Sequence, residues 1–219
     1  MNKKQISDAY YISILLVIVG GFLDTYTYLC RGQVFANTQT GNTVLLGVKL
    51  ITGNISGAIT YIWPILAFIV GVFIAETIRK SFLQHHTIHW RQIVIGFQIL
   101  ILFAVSFLSQ KYNSLCTSLV SFVCGLQLQS FRKFEDNPYA STMCTGNLRT
   151  GTELFYMYTQ TKEKKTLYKS LQYYIIILFF ILGACLGVIS IHYLADFALF
   201  VAIVLLLIIV FIMNLQKEV

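Results

Sequence analysis

Charge is what this 219-residue chain has least of. Charged residues make up 11% of it, and only 9 residues are acidic. A soluble domain carries about 25% charged residues. Hydrophobic residues make up 57% of the chain, and the mean hydropathy is +0.72. The composition excludes an ordinary soluble domain and predicts a membrane protein whose main partner is the lipid bilayer.

Recognisable chemical motifs are also missing. The 5 cysteines are odd in number and include no Cys-x-x-Cys pair, which argues against a zinc site or a disulfide framework. No His-Glu-x-x-His, nucleophile or phosphate-cradling motif is present. His85 and His89 have the i,i+4 spacing of a metal pair, but no companion ligands support them. We therefore expect a protein that is not an enzyme and holds neither a cofactor nor a metal.

Long apolar stretches are present six times. Each is long enough to cross about 30 Å of hydrocarbon as a helix. Only Asp24 and Glu76 place an acidic group well inside any of them. We predict an all-α membrane protein with six transmembrane helices, and a cleaved leader is the alternative for the first stretch. The stretches are residues 10–30, 57–78, 92–108, 114–131, 170–193 and 197–215.

The basic residues indicate an orientation. With a cytoplasmic amino terminus, 13 of the 16 lysines and arginines fall in cytoplasmic segments. The outer segments hold only Arg31, Lys49 and Lys111. This bias follows the positive-inside rule and predicts that both termini are cytoplasmic. The net charge of +7 therefore reports topology, and we expect no nucleic-acid partner.

One polar tripeptide occurs twice. Thr40-Gly41-Asn42 recurs as Thr145-Gly146-Asn147, 105 residues later and close to half the chain length. Each copy precedes a segment of about ten residues, too short to cross a bilayer at 1.5 Å per residue. We predict two re-entrant half-helices within two inverted three-span repeats, residues 1–110 and 111–219. The first tripeptide would enter from outside and the second from the cytoplasm, and chance similarity of the halves is the alternative.

The tripeptides predict a central site. The start of a helix presents unpaired N–H groups, which attract polar and anionic groups. Two such starts, facing each other from opposite leaflets, could bind a small polar solute or an anion. Aligning the halves pairs Asp24 with Gln129, each 17 residues before its motif glycine. The predicted substrate-binding residues are Thr40, Gly41, Asn42, Thr145, Gly146, Asn147, Asp24 and Gln129.

Structural explanations remain open for the same residues. The tripeptides could cap buried half-helices that pack against each other without a ligand. Asp24 could pair with Arg31 or Lys49, and Glu76 could pair with Arg79 along one helix face. Small residues such as Gly183 suit close helix contact, either inside the protomer or between protomers of a homo-oligomer.

Three segments carry a family resemblance. They are residues 20–24 (GGFLD), 34–37 (VFAN) and 40–47 (TGNTVLLG). They resemble the YoaK family of bacterial membrane proteins, also called DUF1275. The resemblance implies a small multi-spanning protein of the bacterial inner membrane, and it supplies no substrate.

Together these features predict a permease or channel-like carrier of a small polar solute or anion. The alternative is a non-transporting membrane scaffold or assembly partner with a solid-packed bundle.

Overall fold

The chain is a bundle of α-helices. The structure, a computed structural model, describes residues 9–82, 89–135, 137–139, 141 and 144–215. A two-residue strand pair, β1 (Lys133–Phe134) and β2 (Asn137–Pro138), lies between the fifth and sixth helices. The helices are α1 (Tyr10–Cys30), α2 (Gln39–Ile51), α3 (Ile55–Phe82), α4 (Trp90–Val105), α5 (Asn113–Ser130), α6 (Cys144–Thr161), α7 (Lys164–Leu194) and α8 (Leu199–Leu215).

The long helices have the composition of membrane spans. Three of them, α1, α3 and α7, are long and apolar enough to cross a bilayer. The apolar helices α4 and α8 are shorter, at 16 and 17 residues. These features confirm an all-α membrane protein, and helices occupy all six of the predicted apolar stretches.

The helices that contain the tripeptides differ from the prediction. They begin at Gln39 and Cys144, so each tripeptide forms the first turn of its helix instead of preceding it. α2 has 13 residues and α6 has 18, longer than the expected ten. The predicted helix starts were wrong because the threonine and asparagine of each tripeptide were interpreted as residues that cap the helix from outside. α6 carries Arg149 and Glu153 and is not an apolar span.

Glycine residues allow the helices of two pairs to pack closely against each other. A Cβ atom on any of four glycines would collide with a backbone carbonyl oxygen of the opposite helix, so only glycine permits this approach. The contacts lie inside one chain, which answers whether these glycines pack within or between protomers. The collisions are Gly21 with Phe180 and Gly183 with Ile18 in the α1/α7 pair, and Gly71 with Phe122 and Gly125 with Phe68 in the α3/α5 pair.

Helices within each pair run parallel. In the α1/α7 pair, the Tyr10 hydroxyl donates to the Gln172 carbonyl at 3.0 Å, and Thr25 lies beside Gly187 further along both helices. In the α3/α5 pair, the glycine contacts are followed by a hydrogen bond of 2.9 Å from Gln129 to Glu76. Each pair therefore joins one helix from each half of the chain.

The first helices of the two halves, α1 and α5, run antiparallel. Near the start of α1, the Leu16 carbonyl accepts a hydrogen bond of 3.0 Å from Gln127, which lies near the end of α5. Just after the end of α1, Arg31 donates at 3.4 Å to Asn113, the first residue of α5.

Helix ends that carry basic residues meet at one end of the bundle, which we call the basic end. There Arg91 at the start of α4 donates to the Ser130 carbonyl at 2.8 Å, and Gln92 donates to Asn214 of α8 at 2.7 Å. The His89 ring accepts the Arg91 N–H at 3.3 Å and caps α4, while His85 lies outside the described residues. Basic residues on helices or connections at this end include Arg79, Lys80, Arg91, Arg132, Lys133, Lys164, Lys165 and Lys169.

We expect Gly125→Ala to destabilise the protein while Gly96→Ala does not. The added methyl group at Gly125 meets the α3 backbone, and overpacking typically costs about 1–3 kcal/mol. At Gly96 on α4 no atom lies within 4 Å of the new methyl group, so the better helix propensity of alanine remains. Thermal unfolding of the purified protein in detergent measures both. Equal midpoints for the two variants would contradict the close packing of α3 on α5.

Candidate functional site

Asp24 is buried in α1 and binds the connection that leads into α2. Its side chain is 6% exposed. Oδ1 accepts the backbone N–H of Asn37 at 2.7 Å, and Oδ2 accepts the Thr38 hydroxyl at 2.7 Å. The backbone N–H groups of Ala36 and Thr38 also point at the carboxylate. The start of α2 therefore already has an anion, and that anion belongs to the protein.

The connection returns along α1 because the chain reverses directly after that helix. Gly32 and Gln33 have positive φ angles of 93° and 59°, which turn the chain back. The Phe35 ring stacks on Tyr28 with centroids 4.8 Å apart. The Asn37 side chain then donates to the carbonyl of Gly20 at 2.8 Å. Residues 34–38 are thus fixed to α1 at Gly20 and again one turn later at Asp24.

Asn42 of the first tripeptide holds this connection in place. Its Nδ2 donates to the Phe35 carbonyl at 2.6 Å, and its Oδ1 accepts the Phe35 N–H at 3.0 Å. The residue is fully buried. Gly41 lies against the Phe35 ring, where a Cβ atom would come within 3.2 Å, and Thr40 is exposed. The amide groups of Asn42 are therefore occupied by contacts inside the protein.

The second tripeptide has a similar pattern of burial. Asn147 is buried, whereas Thr145 and Gly146 are exposed. The thiol of Cys144, the first residue of α6, lies close enough to the Asp24 carboxylate for the two groups to interact electrostatically. Asp24 is thus near the starts of both α2 and α6.

Gln129, which the alignment sets opposite Asp24 in the second half, contacts α3. Its amide donates to Glu76, which also forms the expected ion pair with Arg79 at 3.1 Å. Gly21 and Gly125 make the same kind of backbone contact with a neighbouring helix. They are 104 residues apart, whereas the alignment of the halves used 105. A shift of one residue turns a helix by about 100°, so the uniform offset selected a residue on the wrong face of α5.

Gln127 is a buried amide of α5 that the sequence analysis did not identify as a site residue. It is 1% exposed, and its Nε2 donates to the Leu16 carbonyl at 3.0 Å and to Ser141 at 3.4 Å. It follows buried Cys124 by three residues, so helical spacing would have placed it on the buried face. Ser141 precedes α6 much as Ala36 precedes α2, 105 residues earlier.

Polar groups on one face of α1, together with side chains that bond to that face, form a stripe that we call the Asp24 stripe. It consists of the carbonyls of Leu16 and Gly20, the Asp24 carboxylate, and the amides of Asn37 and Gln127. Leu16, Gly20 and Asp24 are spaced i, i+4, i+8 and so lie on one helix face. Asn37 Oδ1 and Gln127 Oε1 are buried without a hydrogen-bond partner among the described residues.

No basic side chain balances Asp24 within the described residues. Arg31 donates instead to the Tyr26 hydroxyl at 2.9 Å and to Asn113. Lys49 lies in the last turn of α2, whereas Asp24 binds the connection at the opposite end of that helix. The hydrogen bonds of Asp24 come from residues of the α1–α2 connection.

We expect Asn42→Leu to lower stability and Thr40→Val to change little. Leucine at position 42 leaves the partly buried N–H and carbonyl of Phe35 without their side-chain partner, at a cost of up to about 1–3 kcal/mol per group. Thr40 is exposed on the same helix and serves as the matched control. Thermal unfolding and expression level in the membrane measure the effect. Asn42→Leu with wild-type stability would mean that the Asn42 amide does not hold the connection.

Comparison with known proteins identifies a family without assigning a substrate. The family described as "Protein of unknown function (DUF1275)" matches residues 12–212. A curated relative, the UPF0700 transmembrane protein YoaK of Bacillus subtilis (strain 168), is 30% identical over 168 residues, which cover 69% of this chain and 70% of that protein. No solved structure matches the chain. With a family match over nearly its whole length and helices of membrane-spanning composition, the chain belongs to the DUF1275 family and is a transmembrane protein like YoaK.

Proposed function

We propose that this protein is a carrier that moves a small polar solute across the bacterial inner membrane. The observation that carries the proposal is the position of Asp24, a buried carboxylate near the starts of both α2 and α6. A charged side chain inside a membrane bundle is costly and usually marks a functional site. Helices that begin within the membrane beside such a group are a feature of transporter binding sites. The proposal includes no catalytic step.

Six spans in two inverted repeats are part of the proposal. The antiparallel contacts of α1 and α5 support it, because corresponding helices of inverted repeats run in opposite directions. The basic end supports a single orientation, since the positive-inside rule places such an end in the cytoplasm. α1, α3, α4, α5, α7 and α8 would cross the membrane, with α2 and α6 re-entrant and both termini cytoplasmic.

The solute in this proposal is neutral or cationic. The sequence predicted a small polar solute or an anion, because helix starts attract anions. At α2, however, the Asp24 carboxylate fills that place. A second anion beside it would be repelled, because no basic side chain pairs with Asp24 in the described residues.

The orientation can be tested with two single-cysteine variants, Lys164→Cys and Lys111→Cys, in a chain without its native cysteines. Lys164 begins α7 at the basic end, and Lys111 lies in the turn before α5, at the opposite end. We expect a membrane-impermeant maleimide to label position 164 only in inside-out vesicles and position 111 only in intact cells. Labelling of both positions from one side would refute the arrangement of spans.

Access to the site can be tested without knowing the solute. A variant that retains Cys144 as its one cysteine places a reporter at the start of α6. A carrier exposes its site to each side in turn, so an impermeant maleimide is expected to label Cys144 both in intact cells and in inside-out vesicles. The matched control retains only Cys185, which is exposed in the middle of apolar α7 and should face lipid. We expect no labelling of Cys185 from either side.

The same experiment distinguishes the scaffold alternative. A solid-packed bundle would leave Cys144 unlabelled from both sides although the protein is folded in the membrane. That outcome would contradict transport and favour a structural or assembly role. Labelling from one side alone would also contradict a carrier that exposes this site alternately.

A further inference from the structure

Two buried amide oxygen atoms in the Asp24 stripe accept no hydrogen bond from the described residues. They are Asn37 Oδ1 and Gln127 Oε1, on residues that are 2% and 1% exposed. Their identity as oxygens is fixed by the other half of each amide, because Nδ2 of Asn37 donates to the Gly20 carbonyl and Nε2 of Gln127 donates to the Leu16 carbonyl. A flipped amide would place an oxygen against each carbonyl oxygen.

The geometry brings the two amides together along α1. The carbonyls of Leu16 and Gly20 are successive members of an i,i+4 row, separated by about 5–6 Å along the helix axis. The side chains that donate to them therefore lie within roughly one helical turn of each other. Asp24 follows one turn after Gly20, and its carboxylate binds the backbone of the same Asn37. Amide and carboxylate oxygens thus lie along one short stretch of a single helix face.

The negative charge of the Asp24 carboxylate has no positively charged partner among the described residues. The Asp24 carboxylate brings one negative charge into an apolar bundle, and no lysine or arginine of the described residues pairs with it. Hydrogen bonds from the connection stabilise the carboxylate but carry no full positive charge. Buried charges are generally paired or bind a metal ion. One uncompensated carboxylate calls for one positive charge.

We infer that the Asp24 stripe binds a small monovalent metal cation of the sodium class. Oxygen atoms from carboxylates and amides are the ligands that hard cations prefer. Asp24, Asn37 Oδ1 and Gln127 Oε1 supply such ligands, and the single carboxylate matches a charge of +1. The Thr38 hydroxyl binds Asp24, and Thr38 itself is exposed at the surface of the bundle.

A bound proton would not satisfy both the charge of Asp24 and the two amide oxygens. It would neutralise Asp24, but both carboxylate oxygens already accept hydrogen bonds at 2.7 Å, and at most one of the two amide oxygens could accept from the new O–H. Water could donate to both amide oxygens but would leave the charge in place. A cation satisfies the amide oxygens and the charge together.

Thermal unfolding tests the inference on the full chain purified in detergent. Midpoints are compared in sodium chloride, potassium chloride and choline chloride at equal ionic strength and pH. A ligand that binds only the folded state raises stability with its concentration. We expect sodium to raise the midpoint in a saturable way, choline to have no effect, and potassium to act more weakly because it is larger.

Two glutamine variants locate the effect. Gln127→Met removes one proposed ligand, and we expect the apparent affinity for sodium to fall by at least about tenfold. Gln98→Met is the matched control, because Gln98 of α4 is also fully buried and its amide has no hydrogen-bond partner in the described residues. The sodium response of Gln98→Met should equal that of the wild type. Asp24→Asn should abolish the response.

Equal midpoints of the wild type in sodium and choline would overturn the inference. So would a full sodium response in Asp24→Asn, or equal losses in the two glutamine variants. If Asp24→Asn does not fold, the wild type and the glutamine pair still decide the question. The inference does not depend on the proposed transport, and its failure would leave the labelling of Cys144 as an independent test of that function.

Discussion

The hydrogen bonds between Asp24 and the start of α2 are the constraint on which the interior of this protein depends. A helix that begins inside an apolar bundle exposes backbone N–H groups that neither lipid nor apolar side chains can satisfy. The connection just before α2 has the same need, and Asp24 accepts hydrogen bonds from the N–H of Asn37 and the hydroxyl of Thr38. The carboxylate, in turn, is stabilised in the bundle by the donors that converge on it. The Asp24 carboxylate and the backbone of the connection therefore stabilise each other through these hydrogen bonds.

The two halves of the chain place different polar groups near the starts of α2 and α6. α2 and α6 begin 105 residues apart, but α5 has no acid where α1 has Asp24. Near the start of α6 the neutral amide of Gln127 bonds to Ser141, and Asp24 of the other half lies within electrostatic range of Cys144. In the proposed inverted repeat, one carboxylate would thus serve both halves, and the polar centre would be asymmetric.

Local pattern was enough to predict the helices but not the contacts between them. Apolar length identified α1 with the bounds Tyr10–Cys30, and the scarcity of intramembrane acids singled out Asp24. The partners of Asp24 could not be derived, because Asn37 and Thr38 reach it through a chain reversal at Gly32 that no periodicity encodes. The choice of Gln129 over Gln127 failed for a related reason. A single offset cannot describe both halves when α1 matches α5 at 104 residues and α2 matches α6 at 105.

The glycine contacts limit how such a protein could move. Gly21 and Gly183 join α1 to α7, and Gly71 and Gly125 join α3 to α5, so each tight pair contains helices from both halves. Backbones this close are interlocked, and a carrier motion that separated the first half from the second would break both pairs. If the protein is the proposed carrier, its motion is therefore expected between the α1/α7 pair and the α3/α5 pair. The bond from Gln127 to the Leu16 carbonyl crosses that boundary, directly beside the Asp24 stripe. A cation held by Asp24 of one pair and Gln127 of the other would join the two at the place where they must part, and its binding would thereby be coupled to opening.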